Sequence, residues 1–80
     1  MSGDPIQVFG QVIRMLRKER GFSQEALAFE SNLDRTFLSQ LETGRKQPSL
    51  TTIFHLAAAL QVNVSELLRL VEERLYAESA

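Results

Sequence analysis

Four side chains near the middle of the chain carry the chemistry needed to read the edges of DNA bases. Arg35, Thr36, Ser39 and Gln40 recur at a spacing that places them together on one side of a helix. A guanidinium fork matches the O6 and N7 acceptors of guanine, a carboxamide matches adenine, and a hydroxyl can donate or accept at either. Phe37, Leu38 and Leu41 interleave with these residues and form an apolar stripe on the other side. On this pattern alone, the polar side reads equally well as an ordinary solvated helix face.

A face of this kind is useful only if the chain holds it rigidly. Asp34 is a good N-cap for the helix, and Thr43-Gly44 supplies its end. Upstream, Ser23 caps a shorter helix from Gln24 to about Glu30, with Leu27 and the small Ala28 turned inward. Ser31-Asn32-Leu33 joins the two, and Asn32 suits a left-handed backbone. The stretch from Ser23 to Glu42 therefore reads as a helix-turn-helix.

Further helices flank this unit. Asp4-Pro5 opens the first, Phe9, Val12, Ile13 and Leu16 form its apolar stripe, and Arg20-Gly21 ends it after about Glu19. Ser49 caps a fourth, whose expected core face is Leu50, Ile53, Leu56, Ala57 and Leu60, with Phe54 and His55 towards the edge. Asn63 and Glu66 form a variant capping box for a fifth that reaches about Tyr76. Val64, Leu67, Leu68, Val71 and Leu75 make the apolar stripe of that helix, with Leu70 to one side. Met1 to Gly3 and Glu78 to Ala80 read as frayed ends. The expected fold is all-α, a five-helix bundle without strands, forming one domain over residues 1–80 with its core between 9 and 68.

Composition narrows the possible functions. The chain has 80 residues, no cysteine, and a net charge of -1. Without thiols there is neither a disulfide framework nor a thiolate metal site, which fits a cytoplasmic setting. No apolar run approaches a membrane span. His55 is the only histidine and has no suitably spaced co-ligands, so no metal or other cofactor is expected. No nucleophile–base pair or phosphate-binding loop points to an enzyme. The charge is unevenly spread. Residues 1–46 carry seven basic and six acidic side chains, and residues 47–80 carry two basic and four acidic ones. The cations therefore cluster around the helix-turn-helix, where a polyanion would be met.

A series of motifs then carries a resemblance. Ser23-Gln24-Glu25-Ala26-Leu27-Ala28, Leu33 through Arg45, Gln47-Pro48-Ser49-Leu50, Leu56 through Leu60, and Val64-Ser65-Glu66-Leu67-Leu68 closely resemble the Cro/C1-type (XRE) helix-turn-helix family. The resemblance covers about Phe9 to Leu68. It implies a lambda-repressor-like DNA-binding domain that regulates transcription, usually as a two-fold dimer on a palindromic operator. It also places Arg35, Thr36, Ser39 and Gln40 at base-facing positions. Arg17, Gln24, Thr43, Arg45 and Lys46 fall where the family meets the phosphate backbone, and Gln24 also braces the recognition helix. The sequence departs from the family at Asn32, where Gly is frequent, and at Phe29, where a charged residue is common.

Small stand-alone members of the family resemble restriction–modification controller proteins, phage repressors and antitoxins. Only 12 residues follow Leu68, too few for a sensor domain, so switching is expected to come from concentration, dimerisation or a partner. Leu67, Leu70, Val71, Leu75 and Tyr76 offer an apolar surface for such a dimer. The competing reading is a protein-interaction module, with contact to a toxin or RNA polymerase in place of DNA as the main task.

Overall fold

The computed structural model describes residues 4–79, and among these it contains five helices and no strand. They are α1 Pro5–Glu19, α2 Gln24–Glu30, α3 Arg35–Glu42, α4 Leu50–Ala59 and α5 Val64–Ser79. The expected frayed ends at Met1 to Gly3 and at Ala80 lie outside the described residues. α5 itself continues past the expected boundary at Tyr76.

Four helix starts follow directly from capping chemistry. The side chains of Asp4, Ser23, Asp34 and Ser49 accept hydrogen bonds from the amides of Ile6, Ala26, Thr36 and Thr52 at 3.0, 3.0, 3.1 and 3.1 Å. Each satisfies an amide that would otherwise be left orphaned.

The first four helices also end alike. A residue with positive φ follows each cap: Gly21 at 75°, Asn32 at 58°, Gly44 at 77° and Gln61 at 60°. The next amide then reaches back five residues, from Phe22 to Arg17, Leu33 to Ala28, Arg45 to Gln40 and Val62 to Ala57. These are Schellman closures, in which an apolar residue after the turn commonly packs back on the helix. Phe22, Leu33 and Val62 do so, each partly buried against the core.

One hydrophobic core joins the helices. Phe9, Ile13 and Leu16 of α1 meet Leu27 and Ala28 of α2, Leu38 and Leu41 of α3, Leu56 and Leu60 of α4, and Leu67, Val71 and Leu75 of α5. α1 packs on both α3 and α5, so it forms the spine. Arg20, just past α1, donates from Nε to the carbonyl of Leu60 and ties the end of α4 to that spine.

Three expectations about the apolar faces need correction. Leu50, the first residue of α4, is 68% exposed, and burial along that helix begins at Thr52. Leu68 lies on the outer side of α5 and is exposed. Phe37 is only half-buried. At the start of α5, Glu66 is held by Arg69 through paired hydrogen bonds, and Arg69 also reaches Glu73. The hydrogen bond from Arg69 keeps the Glu66 carboxyl below the ordinary carboxylate range.

Candidate nucleic-acid interface

The exposed side of α3 carries the four residues singled out by their chemistry. Arg35 and Thr36 are exposed in the first turn, and Ser39 and Gln40 are half-exposed one turn later. Asp34 caps this end through the amide of Thr36. At the other end the Thr43 hydroxyl donates to the carbonyls of Ser39 and Gln40, at 3.0 and 3.3 Å, so its oxygen lone pairs face outward. Arg45 and Lys46 stand exposed in the loop that follows. Among the described residues, none of Arg35, Arg45 and Lys46 is in an ion pair. Three cations thus flank a neutral hydrogen-bonding strip.

The angle of this strip is set by a buried polar cluster. Glu42 is the only acid within α3, and its carboxylate points inward. It accepts from Arg17 Nε at 2.7 Å and Nη2 at 3.1 Å, and from Gln24 Nε2 at 3.0 Å. The remaining Arg17 nitrogen, Nη1, donates to the carbonyl of Phe22 at 2.9 Å. One carboxylate therefore joins α1, α2 and α3 through a bidentate arginine and an amide, and no buried polar atom in the cluster lacks a partner. Burying a charge pair is tolerable only when it is satisfied in this way. The arrangement also withdraws the one negative charge that α3 would otherwise present on its outer surface.

This geometry corrects the expectation that Arg17 meets a phosphate. Its side chain is 10% exposed and committed to Glu42. Arg20 is also engaged, by Leu60, so Lys18 is the exposed cation left without a partner at the end of α1. Gln24 keeps its bracing role: its Nε2 is bound to Glu42 while the residue remains half-exposed. The sequence did carry a signal for the Arg17–Glu42 pair. Arg17 falls four residues after Ile13, and Glu42 four after Leu38, so two opposite charges each extend an apolar stripe.

The other expected interface divides in two. Leu67, Val71 and Leu75, expected at a contact between copies, are buried in the core of their own chain. Leu70 is half-buried and Tyr76 is 59% exposed. The large apolar residues exposed on α4 and α5 are Leu50, Phe54, Leu68 and Tyr76. Phe29 stands exposed on the outer side of α2, and nothing in the fold explains it. His55 is exposed on α4, and no described residues cluster as metal ligands around it. No described helix is long and apolar enough to cross a membrane.

The arrangement is shared with known proteins. The helix-turn-helix family model matches residues 13–67. The control protein C.MunI of Mycoplasma sp is 38% identical over 66 residues, spanning 81% of this chain and 89% of that protein. The immunity repressor of Bacillus phage phi105 is 45% identical over 56 residues, which are 70% of this chain but 39% of the repressor. Among solved structures, the restriction–modification controller protein C.AhdI from Aeromonas hydrophila superposes with a TM-score of 0.76 at 45% identity. That match covers 78% of this chain and 94% of C.AhdI.

Proposed function

Since the chain belongs to the helix-turn-helix family of DNA-binding transcription regulators, we propose that it recognises a palindromic operator as a two-fold dimer, with α3 of each copy in the major groove. One observation carries this reading. The polar face of α3 is exposed and free of ion pairs, while its rear is fixed by the Arg17–Glu42–Gln24 cluster. A reading helix needs both properties: open donors and acceptors in front, and a rigid support behind.

The roles follow from position. Arg35 and Gln40 read base edges in bidentate fashion, and Thr36 and Ser39 make single hydrogen bonds. Gln24, Thr43, Arg45 and Lys46 position the domain on phosphates. Arg17 has no such role and acts only through Glu42. The dimer face comprises Leu50 and Phe54 of α4 with Leu68, Leu70 and Tyr76 of α5. The protein would work in the cytoplasm, where it occupies a promoter without catalysing a reaction. A likeness to control proteins that spans most of both chains favours a restriction–modification setting.

Selection from random DNA, with sequencing of the bound pool, tests the proposal. The expected outcome is a repeated half-site with its centres one helical turn apart. A pool without any enriched sequence would refute it.

A further inference from the structure

Gly10 lies in the middle of α1, a 15-residue helix, where glycine is the least favourable residue after proline. Space explains its presence. A Cβ built on Gly10 would lie 2.2 Å from the carbonyl oxygen of Leu41 and 2.9 Å from that of Glu42. Both are backbone atoms of the last turn of α3, so no rotamer change can make room. One turn earlier on the same face of α1, Gln7 lies against Gly44. A Cβ on Gly44 would sit 2.7 Å from Gln7 Cγ and 3.2 Å from Gln7 Cα. Two turns later on that face, Arg17 grips Glu42. α1 therefore meets the end of α3 along a single stripe, and at Gly10 the contact is backbone on backbone.

We infer that Gly10 and Gln7 are positioning residues for the reading helix: the bare backbone at Gly10 seats the last turn of α3, and Gln7 against Gly44 seats the loop after it. The inference rests on the proposal that α3 faces DNA. A methyl group at position 10 pushes the end of α3 away from α1, with the Arg17–Glu42 pair as the nearest anchor. Hydrogen bonds to bases tolerate only a few tenths of an ångström in length. A small tilt of α3 thus breaks base reading before it affects the looser phosphate contacts.

The test compares Gly10→Ala with Val71→Ala, a core truncation on α5. Each variant is read by backbone amide NMR and by the ratio of its affinity for the selected site to that for random DNA. In Gly10→Ala, the amide resonances of Leu41 to Lys46 should move, and the affinity ratio should fall about tenfold, as on losing one base contact. Affinity for random DNA and its salt dependence should hold. Val71→Ala lowers stability and keeps the ratio. Unmoved α3 resonances, or an unchanged ratio in a folded Gly10→Ala, would overturn the inference.

Gly44→Ala serves if Gly10→Ala does not fold: its Cβ would lie 2.7 Å from Gln7 Cγ, and because φ 77° strains any side chain there, it is read against Gly21→Ala, which carries the same strain at φ 75° with nothing within 4 Å. The ratio should fall for Gly44→Ala and hold for Gly21→Ala; failure of either overturns the inference. If the wild-type chain prefers no site, the DNA reading fails, and the resonance shifts still decide whether Gly10 seats α3.

Discussion

Arg17 and Arg35 are chemically identical and do opposite things. Arg17 is buried, with Nε and Nη2 on Glu42 and Nη1 on the carbonyl of Phe22. Removing one partner of such a pair leaves an uncompensated buried charge, at about 3–5 kcal/mol. Against a total stability of roughly 5–15 kcal/mol that is severe. Arg17→Ala should therefore shift urea unfolding strongly, and in the fraction still folded the salt dependence of DNA binding should be unchanged. A loss of salt slope without a loss of stability would restore Arg17 to the phosphate contacts. Arg35 is exposed, so Arg35→Ala should leave stability within about 0.5 kcal/mol. It should weaken the selected site by about 1–3 kcal/mol and random DNA far less, as gel shifts on both would show. Lys46→Ala should instead weaken all DNA alike and make the salt slope shallower by about one unit. The sequence displayed all three cations equally. What separated them was which stripe each helix turned inward, legible for Arg17 only once an apolar neighbour one turn earlier is weighed against its charge.

At the scale of helices, the ends carry much of the specification. The four caps were legible because Asp and Ser stand just before apolar periodicity, and a side-chain acceptor there has one obvious donor. The Schellman closures after α1, α2 and α3 were also legible, at Gly21, Asn32 and Gly44. The fourth was not, because Gln61 adopts φ 60° with no residue preference to announce it. An L-residue with a long side chain holds this conformation at roughly 1–2 kcal/mol, offset here by the bonds from Gln61 and Val62 back to α4. Gln61→Gly should therefore raise stability by about 1 kcal/mol in urea unfolding, with no change in DNA affinity. The misplaced Leu50 and Leu68 differ in position: Leu50 opens α4 ahead of its first buried residue, and Leu68 sits on the outer side of α5 beside the buried Leu67. Helical periodicity shows which residues could face a core, but not which of two adjacent apolar residues turns inward.

At the scale of the molecule, the same uncovered residues bear on assembly. Four base-facing side chains specify only about four base pairs, far too few against the roughly 10⁶ or more competing sites of a genome. A two-fold dimer doubles the sequence that is read and requires a self-complementary surface. Leu67, Val71 and Leu75 are spent on the core of their own chain, so the proposed dimer draws that surface from the outer sides of α4 and α5. Leu50 and Phe54 lie one turn apart on α4, and Phe54 and Leu68 are 54% and 41% exposed. Replacing exposed apolar side chains leaves the fold of one chain nearly unaffected, whereas it removes the apolar centre of a contact between chains. The double variant Phe54→Ser, Leu68→Ser should therefore sediment as a monomer at concentrations where the wild type is a dimer. Its melting temperature should lose dependence on protein concentration, since only a dimer gains stability by mass action. On DNA, it should bind a single half-site about as well as the wild type does and lose the added affinity for the full palindrome. If the variant remains dimeric, these two residues are not part of the contact. A wild type that stays monomeric at all concentrations and on the palindrome would leave each α3 to read alone, and the dimer would have to be abandoned.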